Sequence, residues 1–271
     1  MTDAERLSGY VDVWWRAIDD FTHLLERVPP EDWSTSTELP GWDVHACAAH
    51  IAHLESVLAG GPEETVEFEV PAHVRGVLGA YTEQGVVARR DRTADDLINE
   101  IRESCTARRT ALVASPPTDA AARPAVVFGG VDWSWERLLR NRVLDVWMHE
   151  QDVRRAVGRP GGLDSAAAQH TTAYLLESLG LVLAKRAGAP TGTSLVVAVE
   201  GHEPVGFVVD ADGRGVPLTH VPADPTVCLA MSREAFILLA GGRRPPEQVE
   251  VTISGDTDLA ARVLGAMAVT P

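Results

Sequence analysis

The chain has 271 residues, 45% hydrophobic and 23% charged, the balance of an ordinary globular protein long enough for one large domain or two small ones. Its 24 basic residues stand against 39 acidic ones, a formal charge of −15, which argues against a surface that tracks nucleic-acid phosphates or anionic lipid. No uninterrupted apolar run approaches the ~20 residues of a membrane helix. The start, MTDAERLSGY, lacks the basic and apolar regions of an export signal. Three widely spaced cysteines (Cys47, Cys105 and Cys228) read as reduced thiols of a cytoplasmic protein.

Residues 3–28 place Leu7, Val11, Trp14, Trp15, Ile18, Phe21, Leu24 and Leu25 at three-and-four spacing, an amphipathic helix stopped before Pro29-Pro30. A loop from Glu31 to Trp42 follows. Asp43 then caps a second helix running to Gly60. Residues 70–90 read as a further helix. Thr93 with Asp95 and Asp96 starts the next, with Leu97, Ile98, Ile101 and Cys105 inward. Ser134 or Asp132 starts a long helix that ends at Gly158. Four long helices suggest a bundle.

At Gly158-Arg159-Pro160-Gly161-Gly162 the grammar changes. All seven tryptophans lie before residue 150, and residues 159–271 hold 12 acids and 8 bases, so most of the negative charge precedes the break. Past it, Asp164 caps a helix to about Lys185. Strands follow at Ser194–Val199, Val205–Val209 and Thr226–Met231, with a turn at Asp210-Ala211-Asp212-Gly213. Ser232 opens a short helix closed by Gly241-Gly242, Val249–Ile253 reads as a strand, and Asp256–Met267 as the last helix. The expected architecture is a helical bundle over 1–158 and a small α+β domain over 163–271.

The second helix carries His45, His50 and His53. At ~100° per residue, His50 lies ~80° from the centre of the apolar stripe and the other two ~140° away, so His50 borders the core while His45 and His53 face solvent. A histidine there can be an ordinary hydrogen-bonded residue. The helix after residue 134 is odder: its inward stripe is Leu139, Arg142, Val146, His149, Glu150, Val153 and Val157, several of them titratable. Asp145 and His149, four apart, stack on one side of it, suited to gripping one divalent ion or to a plain ion pair, with Arg142 a rival partner for Asp145. If the two helices are neighbours, His50, Asp145 and His149 form three protein ligands with a fourth position open, the catalytic pattern for zinc; other divalent metals also accept nitrogen and oxygen donors. Cys47, one turn from His50, reads as a core residue within reach of the same ion.

Two motifs carry a family resemblance. Pro40-Gly41-Trp42-Asp43-Val44 with Ala49-His50-Ile51, and Arg142 through Arg154 followed by Gly158-Arg159-Pro160, resemble the mycothiol-dependent maleylpyruvate isomerase family. Members combine a DinB-like, metal-binding four-helix bundle with a C-terminal α+β domain similar to sterol carrier proteins, so the resemblance covers nearly the whole chain. It places the metal ligands on His50, Asp145 and His149. The founding isomerase has glutamate at the position of Asp145, one methylene longer. Asp152 is the runner-up ligand, or else an acceptor behind His149 or a partner of Arg155. Glu150 is a general acid or base, or else a packing or salt-bridge residue. Arg142 and Arg154 contact an anionic substrate or thiol, or are surface ion-pair residues, while Trp133 and Trp135 wall the pocket or belong to the core.

The resemblance implies a divalent metal, zinc first, and mycothiol as cofactor or cosubstrate. The thiolate is the nucleophile and a cation lowers its pKa. Addition to an activated double bond, rotation and elimination give an isomerase; retention of the adduct gives an S-transferase. The partners are then a small electrophile and a low-molecular-weight thiol, with no nucleic acid and no membrane, in a monomer or homodimer. The competing reading is a non-catalytic binding protein with an apolar ligand in the C-terminal domain and a structural or vestigial metal site.

Overall fold

The computed structural model describes residues 1–270 and divides into two compact units, Met1–Gly162 and Leu163–Pro271. The first unit is helical: α1 (Asp3–Leu25), α2 (Val44–Leu58), α3 (Gly76–Val87), α4 (Ala94–Ala114) and α5 (Trp135–Ala156). Side-chain caps begin four of them. Thr2 and Glu5 form a reciprocal capping box on α1, and Thr93 and Asp96 do the same on α4. Asp43 caps α2 by accepting from the Ala46 amide at 2.8 Å, and Ser134 caps α5. Gly158, at φ +64°, ends the last turn of α5 in a backbone conformation that a side chain would strain.

Helix α1 packs against α5 and α4, and α2 against α4, α3 and α5. Leu7, Trp14, Phe21, Leu97, Ile101, Leu139, Val143 and Trp147 fill the centre with no exposed surface. Each such side chain contributes roughly 1.5–3 kcal/mol by leaving water. A satellite cluster of Leu54, Val57, Leu58, Phe128 and Leu138 lies beside it, with the half-buried Trp133 and Trp135 packed on it. Cys47 and Cys105 are buried in the core, Cys228 is half-buried, and none of the three forms a disulfide.

Helix α2 departs from the expected pattern. It is buried nearly all round, so His53, expected to face solvent, has no exposed surface, and His45 is half-buried with Nε2 2.9 Å from the Arg92 carbonyl oxygen. The reason is α3, which covers that side. Gly85 of α3 makes the room, because a Cβ there would lie 1.8 Å from His53 Nδ1.

The second unit opens with α6 (Ala166–Leu176), capped by Ser165, where Asp164 was expected. The expected helix to Lys185 breaks into α7 (Leu179–Leu181) and a π-helical turn over Val182–Arg186. Gly180 lies at this break, and its backbone meets that of Gly215 so closely that a Cβ on Gly215 would sit 1.9 Å from the Gly180 carbonyl oxygen. Strands β1 (Ser194–Val199), β2 (Val205–Val209), β3 (Gly215–Pro217), β4 (Val227–Met231) and β5 (Thr252–Gly255) form one sheet in the order β3-β2-β1-β4-β5. Only β1 and β4 run parallel, in register Val197 to Leu229. The three-residue β3 carries no alternation and was not expected. The strand expected at Val249–Ile253 begins three residues later, because Pro245-Pro246 imposes a 3-10 turn over Pro246–Gln248. Helices α8 (Arg233–Ala240) and α9 (Thr257–Gly265) complete the unit, capped by Ser232 and Asp256.

Candidate metal centre

The packing of α2 on α5 brings His50 to Asp145 and His149. His50 Nε2 lies 3.0 Å from Asp145 Oδ2, and His149 Nε2 lies 3.7 Å from Asp145 Oδ1. The imidazoles meet edge to face with centroids 4.8 Å apart. One donor atom from each of the three residues falls within 4.8 Å of the others. Two ligands each ~2.05 Å from a tetrahedral zinc stand about 3.3 Å apart; the two observed separations lie on either side of that value and involve different oxygens of Asp145. The longer one exceeds a hydrogen bond, which leaves the pair bridged by nothing the protein supplies. Burial pushes His50 below its ordinary value and keeps the ring neutral, as a ligand must be. Burial opposes charge on Asp145, but the facing His50 ring and the Arg142 guanidinium outweigh it and hold its carboxyl well below the usual range. Two imidazoles and a carboxylate, without thiolate, therefore fit a divalent cation of the zinc class.

Spacing along α5 organises the support. Arg142, Asp145, His149, Asp152 and Arg155 follow each other at three or four residues, along one side of the helix. Asp152 is fully buried, its Oδ2 3.2 Å from His149 Nδ1 and its Oδ1 accepting from Arg155 Nη2 at 2.8 Å. Arg155 in turn pairs with Glu38. Asp152 thus pairs Arg155, and its other oxygen lies beside His149, whose Nδ1 makes no hydrogen bond. Arg142, expected as a substrate contact or a surface ion pair, has no exposed surface; it donates to Asp145 Oδ2 at 2.7 Å and to Glu55 Oε1 at 2.9 Å. Glu150 and Arg154 bond each other at 2.7 Å. Burial raises the Glu150 carboxyl to about 7 against the pull of Arg154.

Trp42 covers the histidines, its ring 5.1 Å from His50 and 5.6 Å from His149. The turn through Pro40-Gly41 sets it there, with Gly41 at φ +81° and Thr37 N donating to Trp42 O at 3.0 Å. Its indole N–H donates to the buried Glu83 of α3 at 2.9 Å, and His73 Nε2 lies 3.3 Å from the same oxygen.

The sequence reading missed three participants: Glu55, Glu83 and Arg108. Glu55 had a visible signal, as the single acid in the otherwise apolar and histidine-bearing α2. Glu83 and Arg108 gave none, because only the packing of α3 and α4 makes them neighbours of the centre.

The family model of the mycothiol maleylpyruvate isomerase N-terminal domain matches residues 14–154, and that of the MDMPI C-terminal domain matches residues 169–262. No curated protein matches the chain. Among solved structures, a crystal structure of the mycothiol-dependent maleylpyruvate isomerase is similar at 17% identity and a TM-score of 0.55, covering 94% of this chain and 96% of that one. A histidine-to-alanine mutant of that isomerase is similar at 18% identity and a TM-score of 0.56, with the same coverage. At such identities the likeness is one of fold. With both family models matched in order along the chain, the protein belongs to the mycothiol-dependent maleylpyruvate isomerase family.

Proposed function

We propose that the protein is a divalent-metal-dependent enzyme that uses mycothiol against a small electrophile, as an isomerase or an S-transferase. Zinc is the cation, and His50, Asp145 and His149 are its ligands. The convergence of those three side chains, from two helices and within 4.8 Å, carries the reading; family membership supports the thiol. A dication bound there would stabilise a thiolate at neutral pH.

The chain's own residues do the rest. Burial keeps His50 neutral and Asp145 stays ionised; a cation would replace the proton that His50 Nε2 donates to Asp145 Oδ2 at 3.0 Å. The buried carboxylate of Asp152 facing Nδ1 of His149 favours the proton on that nitrogen and leaves Nε2 free to coordinate. Trp42 shields one side of both rings from water. Three protein donors leave one position for the thiol. Glu150 and Arg154, bound to each other, take no step in this reading.

Elemental analysis of the purified chain should find one divalent metal per molecule, lost in His50→Ala and in His149→Ala. Conjugation or isomerisation of a maleate-type electrophile by mycothiol should stop on chelation and return with zinc. Accumulated adduct identifies a transferase; isomerised electrophile with thiol unconsumed identifies an isomerase. A chelated, metal-free protein that works at the native rate would sink the reading.

A further inference from the structure

Arg142 lies between two carboxylates. Its Nε bonds Glu55 Oε1 at 2.9 Å and its Nη1 bonds Asp145 Oδ2 at 2.7 Å. Neither Arg142 nor Glu55 has exposed surface. Glu55 is itself braced from two further helices, by Trp14 Nε1 of α1 at 2.9 Å and Arg108 Nη1 of α4 at 2.7 Å. A planar guanidinium held at Nε by a fixed acceptor cannot swing, so Nη1 has one direction in which to donate. The two oxygens of Asp145 therefore differ. Oδ2 faces both Arg142 Nη1 and His50 Nε2, at 2.7 and 3.0 Å, while the nearest of these groups to Oδ1 is His149 Nε2 at 3.7 Å.

We propose that Arg142, braced by Glu55, is a positioning residue that pins Oδ2 of Asp145 and leaves Oδ1 as the one oxygen presented to the cation. The coordination sphere is thereby held to three protein donors and one open place. The proposal rests on the reading of His50, Asp145 and His149 as a metal centre. It differs from a purely structural ion-pair network in one consequence: without the clamp, both oxygens of Asp145 become available and the coordination number rises.

Cobalt(II) reports that number, since four-coordinate cobalt absorbs visible light far more strongly than five- or six-coordinate cobalt. The full chain, stripped of metal and reloaded with cobalt(II), should bind one equivalent and show the intense four-coordinate bands. Arg142→Lys keeps the charge but cannot hold two carboxylates in one plane, and its cobalt bands should lose most of their intensity. Glu55→Asp keeps the charge and draws the brace back by one methylene, which should shift the bands in the same direction and serves where Arg142→Lys folds poorly. Melting of the metal-free variants, followed separately, isolates the structural contribution. Bands unchanged in both variants, with cobalt binding lost in Asp145→Ala, overturn the positioning role and spare the metal centre. No cobalt in the native chain, or native bands in Asp145→Ala, overturn both.

Discussion

Three charges sit where water barely reaches, and a fourth lies at their edge. Arg142, Arg108 and Glu55 are buried between helices, and Asp145 borders the same group. Desolvating such groups is expensive, and only mutual pairing makes the arrangement tolerable. Glu55→Ala strands two guanidiniums and should destabilise the fold by about 3–5 kcal/mol, measured by urea unfolding. His53 presents the same cost with no partner. Both of its ring nitrogens are buried without a hydrogen bond, and burial, with Arg89 nearby, lowers it to about 3. The folded protein keeps this ring neutral down to that value, whereas an unfolded histidine takes up its proton near pH 6.5. Stability is therefore full above pH 6.5 and falls as the pH drops below it, because the unfolded chain then binds the extra proton. The loss between pH 7 and pH 5 should be on the order of 2 kcal/mol. His53→Leu should flatten that part of the pH–stability curve. An unchanged slope would mean that His53 is not buried neutral.

At the scale of elements, glycine and proline decide what periodicity cannot. Gly85 lets α3 lie on His53, so Gly85→Ala should lower the unfolding midpoint by an amount equivalent to about 1–3 kcal/mol, although alanine is the better helix former. A neutral or stabilising effect there would contradict the packing of α3 on α2. Caps were legible in the sequence: Asp43, Thr93, Ser232 and Asp256 each start a helix where expected, and of the two candidates for α5, Ser134 and Asp132, Ser134 is the cap. Thr93→Ala should cost about 1 kcal/mol, read from the same unfolding curves. Strands β1 and β2 were legible to the residue, because apolar runs bounded by turns leave no alternative. The short β3 and the late start of β5 were not. A three-residue strand exists only because β2 pairs with it, and a local proline turn delays β5.

For the whole molecule, the centre ties two helices separated by most of the first unit's sequence, since His50 sits on α2 while Asp145 and His149 sit on α5. A ligand that binds only the folded state stabilises it by about 2.7 kcal/mol at a hundred times its Kd. Zinc at that excess should accordingly raise the melting temperature of the metal-stripped protein, and the rise should vanish in His149→Ala. The sequence alone determined the helical and α+β halves and most element starts, because caps and apolar periodicity are local properties, and it offered His50, Asp145 and His149 as a candidate set through i,i+4 spacing and the family motifs. It could not determine the bracing of that triad. Whether Arg142 lay on the surface or in the core, whether His53 met water, and which groups paired with Glu55, Arg108 and Trp42 all depended on which helix covered which face. That choice belongs to tertiary packing, where burial sets the energy of every charge and local spacing carries no record of it.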